Sequence, residues 1–142
     1  MKNSIIALTL GLLLGFTAKA QDNKAVDAKA QADFKFETEE YNFGTVKQGE
    51  IVNHEFKFTN TGKEPLVITD ARGSCGCTVP EWPKESIKKG QSANIKVTFS
   101  SAGKLGLQDK TVTINSNAKS GPKVLHLKGN VAENKSEVPA KK

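Results

Sequence analysis

Residues 51–60, Ile-Val-Asn-His-Glu-Phe-Lys-Phe-Thr-Asn, alternate without a break. Val52, His54, Phe56 and Phe58 fall on one side, and Asn53, Glu55, Lys57 and Thr59 on the other. Successive side chains leave a strand on opposite faces, so a period of two marks a β-strand with one packed face and one wet face. The same rhythm extends in both directions along the chain. Phe34 and Phe36 alternate with Lys35 and Glu37, and Tyr41, Phe43 and Thr45 form a second short set. Leu66-Val67-Ile68 is a brief apolar run; Ile95, Val97 and Phe99 alternate with Lys96 and Thr98. Val112 and Ile114 follow, and Leu125, Leu127 and Val131 close the series.

Turn residues separate these runs. They are Lys47-Gln48-Gly49, Asn60-Thr61-Gly62, Lys88-Lys89-Gly90, Ala102-Gly103 with Gly106, and Ser120-Gly121-Pro122. Gly and Asn accept the backbone conformations that tight turns demand, and Pro fixes its own φ. About seven short strands with frequent turns and no helical period predict an all-β fold. The expected form is an immunoglobulin-like antiparallel β-sandwich, with a small closed barrel as the alternative.

The chain of 142 residues supports one domain with tails. Residues 1–20 read as a signal peptide: Lys2 supplies a positive start, Ile5 to Phe16 an uncharged apolar run, and Ala18-Lys19-Ala20 a cleavage pattern. The apolar run is too short to span a bilayer comfortably, and no later segment is apolar enough to do so. Export to the periplasm or the exterior is therefore expected, as a protein that is not membrane-spanning. Residues 21–32, rich in Ala, Lys and Asp, read as a disordered linker, residues 33–132 as the sandwich, and residues 133–142 as a disordered tail. Removing residues 1–20 takes away Lys2 and Lys19 and lowers the formal net charge from +6 to +4. That is weak and interleaved charge, which argues against a nucleic-acid partner.

Both cysteines lie in Gly73-Ser74-Cys75-Gly76-Cys77-Thr78. At i and i+2 on a strand they point the same way, and the intervening glycine lets the backbone bend. Four readings are open. The pair forms a small, strained and easily reduced disulfide. The thiols are free and act as small buried hydrophobes. The two sulfurs bind a soft metal such as copper or zinc, for which His54 and His126 are the only imidazoles available to complete a site. Or the pair is a dithiol redox catalyst, assisted by the neighbouring cation Arg72.

Other side chains are read more plainly. His54 lies on the apolar face of its strand, as a core or rim histidine, and His126 lies opposite Leu125 and Leu127, facing solvent. Trp82, between Glu81 and Pro83, is expected to cover one end of the core, or to serve as a ligand platform. No G-x-S-x-G, H-E-x-x-H, Walker or G-x-G-x-x-G pattern is present, and no cofactor is called for.

The strings YNFGTVKQGE (41–50), HEFKFTNTGKEPLVI (54–68), SCGCTVPEW (74–82), SNA (116–118) and LKGNV (127–131) together resemble the domain-of-unknown-function family 1573. The resemblance covers nearly the whole expected domain. It implies exported bacterial proteins, common in Bacteroidota, with an immunoglobulin-like sandwich akin to Hydin-type (ASH) modules, and no established activity. Lys89 departs from the family, which usually has Pro before this glycine; a looser turn is expected there.

The expectation is thus an exported, non-catalytic binding or structural module of the bacterial envelope, with an envelope protein or polymer as partner. Its candidate surface is the strand-end loop 72–83 with Arg72, Cys75, Cys77 and Trp82. The competing expectation is a soft-metal or thiol-redox protein using Cys75 and Cys77.

Overall fold

The computed structural model describes residues 31–135. The expected signal peptide (1–20), most of the expected linker (21–30) and most of the tail (136–142) lie outside the described residues. The described chain contains eight strands: β1 (Phe34–Phe36), β2 (Glu40–Lys47), β3 (Ile51–Asn60), β4 (Ile68–Gly73), β5 (Thr78–Glu81), β6 (Ser92–Ser100), β7 (Gly106–Ser116) and β8 (Lys123–Ala132). They form two four-stranded sheets, ordered β1-β3-β6-β5 and β2-β8-β7-β4.

The sheets meet through the alternating apolar faces. Phe56, Phe58, Ile95, Val97 and Phe99 from the first sheet are fully buried, as are Val112, Ile114, Leu125 and Leu127 from the second. Phe43 reaches across to Phe99 with ring centroids 5.6 Å apart, and Tyr41 stacks on His54 at 3.7 Å. Each buried aromatic or branched side chain contributes about 1.5–3 kcal/mol through burial. This face-to-face packing is the β-sandwich that the period of two predicts.

Four details differ from the sequence reading. β5 is an additional strand, paired antiparallel with β6 from Thr78↔Phe99 to Glu81↔Lys96. It takes four residues of the segment expected to be the loop 72–83, and β4 takes Arg72 and Gly73. Its Pro80 is tolerable because β5 is an edge strand, so the missing N–H opposes no second neighbour. Second, β2 pairs parallel with β8, while the other strand pairs are antiparallel. A parallel neighbour needs a long connection, and here most of the domain supplies it. Third, β2 changes phase at Gly44, whose φ is +71°, and the register with β8 shifts between Asn42 and Thr45. Thr45 therefore turns outward and Val46 takes the packed side. Fourth, Ala32, placed by composition in the linker, is buried against the core, and its carbonyl accepts from Lys119 N–H.

At one end the chain is secured by Asn60, which is 1% exposed. Its Nδ2 donates to the carbonyls of Glu64 (2.8 Å) and Ile87 (2.9 Å), and its Oδ1 accepts from Gly62 N–H (2.9 Å). A side chain on Gly62 would run into the backbone of Gln31, Ala32 and Asp33, so glycine is required there by packing. At the opposite end Ser101, fully buried, donates to the carbonyls of Lys47 and Glu50 and so holds the β2–β3 turn.

Candidate functional site

β4 lies on the edge of one sheet and β5 on the edge of the other. The cysteine motif is the crossover between them. Gly73 ends β4 where the Thr78 backbone passes against it, so a Cβ there would strike the Thr78 carbonyl. Ser74 N–H donates to the Thr111 carbonyl (2.8 Å), and Thr111 N–H donates back to Ser74 Oγ (3.2 Å). Thr78 N–H closes the turn on the Cys75 carbonyl (3.1 Å), and Ser100 N–H donates to the Cys77 carbonyl (2.8 Å). The crossover is thus tied to both sheets by backbone bonds.

Cys75 and Cys77 are joined as a disulfide, with Cα atoms 5.2 Å apart. Among the four readings of the motif, the free-thiol one does not describe this state. Both residues are half-buried, and Cys77 packs against the core. Gly76 is exposed, and a Cβ there would meet open space. Its φ lies outside the left-handed region, so neither space nor backbone conformation demands glycine at this position.

The metal reading loses its donors. A disulfide offers no thiolate, and among the described residues no group of three His, Cys, Asp or Glu converges. His54 sits at the inner rim of the sandwich, between Tyr41 and the edge of Phe56. Desolvation there holds its pKa below the ordinary histidine value, against the opposing pull of Glu55. His126 stands on the outer face of the other sheet, with Nδ1 2.8 Å from Asp109 Oδ1. The two imidazoles lie on different sheets and neither faces the disulfide as a ligand.

The candidate surface also divides. Arg72 is on β4, and its Nε donates to Asp70 Oδ2 at 2.6 Å. Its cation is committed to that carboxylate, not to the sulfurs. Trp82 follows β5 while Cys77 precedes it, so four residues of extended chain, about 13 Å, lie between. Trp82 packs partly against the core and carries the Lys84 ammonium 3.2 Å from its ring centroid. Together with Glu55, Glu81, Pro83, Asn94 and Lys96 it lines a shallow groove of about 360 Å³ on the outer face of the first sheet. Of the four residues expected to share one surface, only the two cysteines come together.

A residue without an assigned role in the sequence reading is Thr78. It is 3% exposed, and its Oγ1 lies 3.7 Å from Cys75 Sγ and 3.8 Å from Cys77 Sγ. The available signal was its place as the inward-facing residue directly after the second cysteine.

Among the described residues no helix is long and apolar enough to cross a membrane. The fold is similar to that of a protein of unknown function from Porphyromonas gingivalis W83, with a TM-score of 0.64 and 16% identity over 76% of this chain and 51% of that one. The chain thus spans about half the length of that protein. It is also similar to the ASH/PapD-like domain 7 of human CEP192, with a TM-score of 0.54 and 9% identity over 93% of this chain and 99% of that one. A third likeness is to the secreted serine protease VesC from Vibrio cholerae, with a TM-score of 0.52 and 13% identity over 78% of this chain and 25% of that one. At such identities these likenesses show the fold alone. No curated protein matches in sequence. The sandwich, with its Asn60-Thr61-Gly62 corner and its cysteine crossover, lies within residues 34–131, which match the model for the family described as Protein of unknown function (DUF1573), and the chain belongs to that family.

Proposed function

We propose that this chain is an exported, non-catalytic binding module of the bacterial envelope, which contacts an envelope protein or polymer through the disulfide end of its sandwich. One observation carries the proposal: large exposed apolar side chains stand at that end on both sheets. Leu107 is 89% exposed at the start of β7, Leu105 is 55% exposed in the loop before it, and Ile51 and Val79 are more than half exposed. Ile51 and Val79 lie opposite Ser100 and Thr98 of β6, on the wet face beside the crossover. Isolated exposed apolar residues are ordinary, but several at one end favour a contact surface. On the outer face of the second sheet the Lys128–Glu40 ion pair and the His126–Asp109 hydrogen bond engage polar groups with one another and offer less to a partner. The apolar run and cleavage pattern of residues 5–20 support export.

The test is fractionation of cells expressing the full chain, with the intact mass measured. The expected product lacks residues 1–20, leaves the cytoplasm, and sediments with envelope fragments after lysis. A Leu105→Ser/Leu107→Ser double variant should stay in the supernatant with its unfolding midpoint unchanged. Retention in the cytoplasm, or equal sedimentation of both proteins, overturns the proposal.

A further inference from the structure

Thr78 presents an unusual pairing. Its hydroxyl is buried, and among the described residues its hydrogen-bond partners are the two disulfide sulfurs, at 3.7 and 3.8 Å. A disulfide sulfur has no proton to give, so Thr78 is the donor to both. Neutral sulfur is a weak acceptor, whereas a thiolate is charged and accepts strongly. A buried hydroxyl so poorly matched favours whichever state supplies a better acceptor. That state is the reduced one.

Three further features fit exchange of this bond within the folded protein. The bridge closes a loop of only three residues, so it restrains the chain little. The crossover is held independently by the bonds of Ser74, Thr78 and Ser100 described above. The motif is half-buried at a rim beside the exposed Ile51 and Val79, so an approaching protein can reach the crossover that carries the bridge.

We propose that Cys75–Cys77 is an exchangeable disulfide, opened and re-formed in the native fold by a dithiol partner, with Thr78 as the residue that stabilises the released thiolate. The partner's thiolate attacks Cys75 Sγ, because Cys77 is the sulfur residue packed against the core. The bridge breaks, and its electron pair leaves on Cys77 Sγ, which accepts a hydrogen bond from Thr78 Oγ1. The partner's second thiol then attacks the mixed disulfide and releases Cys75, which takes up a proton. The partner dithiol is oxidised by two electrons to a disulfide, and the protein bridge is reduced to the Cys75 thiol and the Cys77 thiolate, which exchanges its proton with solvent. Re-formation is the same sequence in reverse. The inference stands apart from the binding role, since it concerns the bond and not what the rim contacts.

The experiment equilibrates the full chain in graded mixtures of reduced and oxidised dithiothreitol, alkylates the free thiols, and reads the reduced fraction by intact mass. Circular dichroism reports the fold in the same samples. The wild type is expected to be reduced with its β-sheet spectrum intact. Thr78→Val should shift the equilibrium about tenfold toward the disulfide, the effect of losing one hydrogen bond to a charged group. Thr78→Ser should restore it. The pH midpoint of alkylation of the reduced wild type should lie below that of a free cysteine, about 8.5. Reduction only in denaturant overturns the proposal, as does a Thr78→Val equilibrium within twofold of wild type. If Thr78→Val does not fold, an alkylation midpoint at or above the free-cysteine value overturns it.

Discussion

The two ends of this sandwich are tied in opposite ways. At one end a single asparagine, Asn60, is buried and makes three hydrogen bonds to backbone groups on two loops. At the other a covalent bond joins Cys75 to Cys77, half-buried and spanning three residues. A covalent bond invites the assumption that it is the stronger tie. Physical accounting reverses this. A disulfide stabilises mainly by restricting the unfolded chain, and a three-residue loop restricts it by only about 1.5 kcal/mol. Asn60 is buried, and its three hydrogen bonds contribute about 1 kcal/mol each. The asparagine is the stronger structural tie, and the disulfide the weaker one.

The comparison is open to attack by mutation. Asn60→Ala should have the largest effect, a loss of about 4 kcal/mol in urea unfolding, because three hydrogen bonds go at once and a cavity is left where the buried amide stood. Gly62→Ala should cost about 3 kcal/mol, since its new methyl group must displace the backbone at residues 31–33. Ser101→Ala, which removes a buried hydroxyl bonded to the Lys47 and Glu50 carbonyls at the disulfide end, should cost about 2 kcal/mol. The Cys75→Ser/Cys77→Ser double variant should lose no more than about 1.5 kcal/mol and keep its sheet spectrum. A double cysteine variant less stable than Asn60→Ala would reverse the assignment of roles.

The smallest expected effect concerns pH. Desolvation lowers the pKa of His54 in the folded protein, so the unfolded chain binds its proton more readily. The stability that neutral His54 contributes is complete above the unfolded value of about 6.5, and is lost as pH falls through the folded value. His54→Phe should flatten the stability profile over that window, as followed by thermal melts in steps of pH. An unchanged slope would show that stacking on Tyr41 does not desolvate the ring.

Much of the fold was legible because β-structure writes itself locally. The alternation of Val52, Phe56 and Phe58, and of Ile95, Val97 and Phe99, survives intact in β3 and β6. Where local rhythm was interrupted, it misled. Gly44 inserts a left-handed residue, and the packed side passes from Thr45 to Val46. Pro80 and the dense turn chemistry around the cysteines concealed β5, which exists because β6 offers it an open edge. The candidate site was less legible still. Nearness in sequence places Arg72 with the cysteines, but Asp70 lies on the same strand and accepts from its Nε. Trp82 was grouped with them for the same reason, and the length of β5 separates them.

Residue order was enough to set the strand periods, the turn positions, the family and the adjacency of two sulfurs, since each depends on neighbours a few positions apart. Folding in three dimensions settled the parallel pairing of β2 with β8, the loss of any metal-binding triad among the described residues, and the placement of the Thr78 hydroxyl between two sulfurs. Those outcomes depend on which distant strands meet and on what a buried polar atom finds within reach, and no short window of sequence carries that information.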